Sequence, residues 1–123
     1  MEAALPGEIF SRLKALVAPY SKEMEIITDT AILYELRIPK EFMIGDRHYQ
    51  ECYYCSLLMT THSVSFSLIT YKLFAEEFSV PTALRKNLRA NGRFNFRKLD
   101  NVQEAAVAQL LRKGFDLYKS RLS

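Results

Sequence analysis

Cys52-Tyr53-Tyr54-Cys55-Ser56-Leu57-Leu58-Met59, Thr60-Thr61-His62 and Ser63-Val64-Ser65-Phe66-Ser67-Leu68 form the stretch on which the fold turns. The first part is a dense run of aromatic and apolar residues that suits a pleated, half-buried strand. The last part alternates, Val64, Phe66 and Leu68 against Ser63, Ser65 and Ser67. A period of two packs one face of a strand and leaves the other open or lined by small residues. The polar Thr60-Thr61-His62 reads as a turn. An antiparallel hairpin is therefore expected, with strands over Cys52–Met59 and Ser63–Lys72.

Outward toward the N-terminus, Met24–Thr28 and Ala31–Ile38 are rich in Ile, Leu, Tyr and Thr, with Thr28-Asp29-Thr30 as their turn. Phe42–Ile44 and Arg47–Tyr49 flank Gly45-Asp46, a tight-turn pair. Ahead of these strands, Ile9, Leu13, Leu16 and Val17 share a helical face over Glu8–Ala18, opened near Pro6 and stopped by Pro19. Toward the C-terminus, Pro81 opens an expected helix to Ala90, with Leu84 and Leu88 buried and Asn91-Gly92 ending it. Arg93-Phe94-Asn95-Phe96-Arg97 is a short strand with both Phe on one face and both Arg on the other. Asp100 followed by Gln103 is a capping-box start for a last helix to Ser120, with Val107, Leu110, Leu111, Phe115 and Tyr118 along one flank. The order predicts an α+β fold: a single two-layer domain over residues 1–123, with an antiparallel sheet and three helices, one N-terminal and two C-terminal, on one face.

Composition agrees. With 123 residues, 49% hydrophobic, the chain can bury about two-thirds of its unfolded surface and needs no metal or disulfide to fold. No stretch approaches the roughly 20 uncharged apolar residues of a membrane span. Met1-Glu2-Ala3-Ala4-Leu5-Pro6 lacks the basic-then-apolar pattern of a signal peptide. Two cysteines three apart do not make a secreted disulfide framework, so the expected compartment is the cytoplasm, with reduced thiols.

Several segments in order carry a family resemblance: Val64-Ser65-Phe66-Ser67-Leu68, Tyr71, Leu84-Arg85-Lys86, Phe94-Asn95-Phe96-Arg97-Lys98 and Gly114-Phe115-Asp116-Leu117-Tyr118. Together they resemble the YdhG-like family of small bacterial cytoplasmic domains, mostly of unknown function. The likeness is clearest over residues 64–118; in the N-terminal half only the helix-then-strands order agrees. Ala90-Asn91-Gly92-Arg93 stands where family members often carry a Gly-Lys-Ser-Cys-like stretch. One relative is regarded as a frataxin-like iron chaperone, so the resemblance implies iron binding as an alternative function. Such chaperones present carboxylates on an exposed first helix, because hard cations prefer oxygen ligands. Here Glu8 is the one carboxylate of that helix, opposed by Arg12 and Lys14.

His48, Cys52, Cys55 and His62 are zinc-ligand residue types, but residues three apart on a strand point to opposite faces. No metal site and no cofactor are expected, and a strand lacks the helix dipole that activates a redox Cys-x-x-Cys. Without a Gly-x-Ser-x-Gly elbow, a phosphate loop or a dinucleotide fingerprint, a binding or accessory role is expected rather than an enzyme.

Charge is the strongest functional lead. Residues 1–80 carry seven Lys/Arg against eleven Asp/Glu, whereas residues 81–123 carry ten against three. Arg85, Lys86, Arg89, Arg93, Arg97 and Lys98 run with no acidic residue between them. Such a cluster is either a solvated face or the footprint of an anionic partner, an acidic protein or a phosphate-bearing ligand. If helix and strand pack side by side, Arg85, Lys86, Arg89, Arg93 and Arg97 converge on one surface. Sequence-specific DNA binding is not expected, since no base-reading motif is present. A second candidate is the set Tyr49, Tyr53, Tyr54, Phe66 and Tyr71, more polar-tipped rings than a two-layer core needs. On an open sheet face these would line a small-ligand pocket or a homodimer interface.

Overall fold

In the computed structural model, which describes residues 4–89 and 92–122, the alternating stretch lies at the centre of a sheet. The chain forms α1 (Pro6–Val17), a 3-10 segment (Ala18–Glu23), β1 (Glu25–Asp29), β2 (Leu33–Arg37), β3 (Phe42–Ile44), β4 (Arg47–Tyr49), β5 (Tyr53–Met59) and β6 (Val64–Leu68). It continues through α2 (Ile69–Leu73), 3-10 turns at Ala75–Glu77 and Thr82–Leu84, β7 (Leu88–Arg89) and β8 (Arg93–Phe96). It closes with α3 (Asn101–Leu117) and a π-turn (Tyr118–Leu122). Six strands pair antiparallel in the order β1-β2-β5-β6-β8-β7, while β3 and β4 form a separate hairpin. The fold is α+β, as the element order predicts.

Register divides the sheet into two faces, because directly paired residues of antiparallel strands point the same way. Tyr34, Leu57, Phe66 and Phe94 are successive partners across β2, β5, β6 and β8, and all four are buried. They share one core with Ile9, Leu13 and Val17 of α1 and Val107, Leu110 and Leu111 of α3. Cutting back such a fully buried Phe typically costs about 3–5 kcal/mol, so this row carries much of the stability. Thr28, Glu35, Ser56, Ser67, Arg93 and Arg89 are the alternate set of partners, and they cross all six strands on the face opposite α1 and α3.

The register slips once between β2 and β5: Leu36 faces Cys55 and Arg37 faces Tyr53, leaving Tyr54 as an extra residue. A bulge of this kind turns neighbouring side chains the same way. Tyr54 and Cys55 accordingly both sit in the core, while Tyr53 stays 43% exposed.

Two expected elements differ. The strand expected to reach Lys72 ends at Leu68, and Ile69–Leu73 coils into a helical turn closed by Phe74 N donating to Thr70 O at 2.9 Å. Alternation stops there, and the adjacent Thr70 and Tyr71 are both buried. The helix expected over Pro81–Ala90 is only a 3-10 turn at Thr82–Leu84, followed by β7. Leu84 is buried as expected, but Leu88 pairs with Phe94 instead of completing a helical face. Asn87 explains the switch. Its Nδ2 donates to Asn95 O at 2.9 Å, and Asn95 N donates to Asn87 O at 2.8 Å, so the chain is clamped to β8 where a helix would have continued. Ala90 and Asn91, the expected helix end, lie outside the described residues, as does the Met1–Ala3 start.

The last helix keeps its expected start. Asp100 Oδ1 accepts from Gln103 N at 2.7 Å and Gln103 Oε1 from Asp100 N at 3.0 Å, closing a capping box. Further along, Gly114 lets α3 sit directly on the end of β6: a Cβ there would lie 2.7 Å from Leu68 Cδ2 and 2.7 Å from Thr70 Oγ1.

Candidate anion-binding surface

Without a helix over 81–89, the basic residues are arranged by the β7–β8 edge. β7 presents Arg89, and the segment after β8 presents Arg97 and Lys98. The turn before β7 presents Lys86, and all four side chains are exposed. Together with Asn87, Asn95, Asp100 and Gln103 they line a cavity of about 380 Å³ where the sheet edge meets the start of α3. The one carboxylate on that wall, Asp100, is already engaged as the helix cap. Asn87 Oδ1 in turn accepts from Gln103 Nε2 at 3.4 Å, tying the edge strand to α3.

Of the five residues expected to converge, Lys86, Arg89 and Arg97 do. Arg85 points away, its Nε donating to Val80 O at 3.4 Å, and Arg93 faces a different cavity, between β5, β6 and α2. Lys98 joins the cluster in their place, at a position the basic run already marked.

None of Arg85, Lys86, Arg89, Arg93, Arg97 and Lys98 forms an ion pair among the described residues. Arg89 instead turns Nη1 onto backbone carbonyls, Lys86 O at 2.8 Å and Leu88 O at 3.1 Å. That bonding holds the guanidinium in place without neutralising it. Coulomb attraction toward an incoming anion is therefore undiminished by an internal partner, and salt screens it because the groups are exposed.

The chain matches no protein-family model, no curated protein and no solved structure. Its functional reading therefore rests on its own geometry.

The aromatic set does not gather on one face. Phe66, Tyr54 and Tyr71 are core residues at 0%, 0% and 9% exposure. Tyr49 stacks on Phe42 within the β3–β4 hairpin, with ring centroids 5.1 Å apart. Tyr53 alone of the five is exposed on the uncovered face. The bulge at Tyr54, the helical turn at Tyr71 and the inward phase of Phe66 explain why the rings separate.

The thiols are likewise apart: Cys55 is buried and Cys52 half-buried. Burial pushes the pKa of Cys55 far up, and it also raises that of Cys52, against a smaller opposing pull from Lys72. An activated thiol needs the opposite shift. His62 is exposed at the β5–β6 turn, and His48 Nε2 lies 2.7 Å from Glu41 Oε2. Among the described residues no three His, Cys, Asp or Glu side chains gather as metal ligands, and no helix is long and apolar enough to cross a membrane.

Proposed function

We propose that this chain is a non-enzymatic, YdhG-like binding domain that engages an anionic partner, an acidic protein or a phosphate-bearing ligand, through its β7–β8 edge. One observation carries the reading: Lys86, Arg89, Arg97 and Lys98 surround a single cavity, and no carboxylate pairs with any of them among the described residues. Arg supplies planar, bidentate contacts to carboxylate or phosphate, while Lys adds a point charge. The Asn87–Asn95 and Asp100–Gln103 bonds keep the surrounding backbone in place before a ligand arrives, which lowers the ordering cost of binding.

Binding driven by these four cations must be salt-dependent. For a labelled single-stranded oligonucleotide followed by fluorescence anisotropy, four phosphate contacts predict a roughly 50-fold loss of affinity between about 50 and 200 mM salt. A glutamate-rich peptide and inorganic pyrophosphate, run in parallel, identify which class of anion binds best. Affinity that is absent for all three, or unchanged by salt, overturns the reading.

A further inference from the structure

Arg93 departs from the basic edge, and its destination is the basis of a second site. It lies on the uncovered sheet face in the paired row Ser56, Ser67, Arg93 and Arg89, and the side chain of Arg89 is turned aside onto Lys86 O and Leu88 O. Those two serines are small, so the sheet surface between Arg93 and Tyr53 is left hollow. The hollow is a cavity of about 420 Å³, within the size range of small-molecule sites. Tyr53 and Ile69 supply apolar walls, and Lys72 reaches in from α2.

Gly92 accounts for the meeting of Lys72 and Arg93. Its φ is +69°, and a Cβ on it would lie 3.4 Å from Lys72 Cα and 3.3 Å from Tyr71 Cδ2. Backbone thus lies directly on backbone there, pinning the start of β8 against α2. Lys72 and Arg93 have no carboxylate partner among the described residues, and no Asp or Glu lines the cavity. Among the described residues the side chains of Ser56, Ser67 and Tyr53 make no hydrogen bond either, so three hydroxyls stand available to a ligand.

We propose that this cavity binds a small organic anion, with an acidic head between Arg93 and Lys72 and an apolar body against Tyr53 and Ile69. Two unpaired cations specify the head, and an apolar wall beside them specifies the body. A polyanion would find no use for that wall, and a neutral ligand would leave both cations unanswered. The site is separate from the β7–β8 cavity, so either can fail without the other.

2-Naphthoate is the probe, titrated by calorimetry against 2-naphthamide, which has the same ring and no charge. The expected result is measurable binding of the naphthoate and about tenfold weaker binding of the amide. Arg93→Gln and Lys72→Gln each weaken the naphthoate several-fold or more, and Ser67→Leu, which fills the hollow, removes binding. Arg97→Gln, in the neighbouring cavity, leaves it unchanged. Arg93, Lys72 and Arg97 are exposed, so these Gln variants keep the core intact. Equal binding of acid and amide, no binding at millimolar probe, or an Arg97→Gln effect as large as that of Arg93→Gln overturns the proposal.

Discussion

The two edges of the six-stranded sheet treat charge in opposite ways. At the β1–β2 edge carboxylates take up the nearby cations: Lys14 Nζ of α1 meets Asp29 at 2.5 Å, and Arg37 meets Glu25 at 3.1 Å and Glu51 at 3.7 Å. At the β7–β8 edge Arg89, Arg93, Arg97 and Lys98 have none among the described residues. Paired surface charges cancel at a distance and contribute about 0–1 kcal/mol each to stability. Unpaired ones contribute little to the fold and project a field outward. The two-residue β7, carrying Arg89, also discourages the open edge from pairing with another sheet. One edge is thus neutralised internally, and the other keeps its charge available to a partner.

The contrast breaks most visibly if the basic edge is inverted. Arg97→Glu combined with Lys98→Glu is expected to weaken oligonucleotide or acidic-peptide binding about 100-fold, with an unchanged urea midpoint. Equal loss from Lys14→Glu at the opposite edge would show that net charge, not the edge, governs binding. Next in size is Gly114→Ala, which drives a methyl into Leu68 and Thr70 beneath the strands that join both edges. A loss of about 1–3 kcal/mol is expected in denaturant unfolding, and no loss would mean that α3 can shift freely.

Between the edges, the centre of the sheet responds to alkali. Burial raises the pKa of Cys55 and of Tyr54, so the folded protein holds protons that the unfolded chain releases. The stabilisation is complete below about pH 8.5 and lost as pH rises, by up to about 1.4 kcal/mol per pH unit for each group. Cys55→Val should flatten the first part of that decline in urea titrations, and an unchanged slope would place the titrating group elsewhere. The smallest effects sharpen the comparison itself. Lys14→Ala should cost no more than about 1 kcal/mol, and Arg97→Gln should cost less still, because it has no partner to lose. A larger loss for Arg97→Gln would reveal a structural duty at the basic edge.

Much of this was legible along the chain. Alternation at Val64, Phe66 and Leu68 located the packed face, and the Asp100–Gln103 box placed the start of α3. The six-residue basic run named the members of the edge cluster. Hidden were features that depend on distant partners. Leu84 and Leu88 carry a helical spacing, yet Asn87 binds β8, a contact eight residues away that local periodicity does not encode. Tyr53 and Tyr54 look equivalent until the slip against Arg37 sends one outward and the other into the core.

By itself, then, the amino-acid order determined the α+β class, the core face and the concentration of positive charge after residue 80. These follow from side-chain period and composition, which are local properties. Only the tertiary structure decided that the basic run divides, with Lys86, Arg89, Arg97 and Lys98 around one cavity and Arg93 joined by Lys72 in another. Register pairs Arg89 with Arg93, so the division follows from Arg89 turning onto Lys86 O and Leu88 O and from the close seat of Gly92 on α2, a contact between residues far apart in the chain.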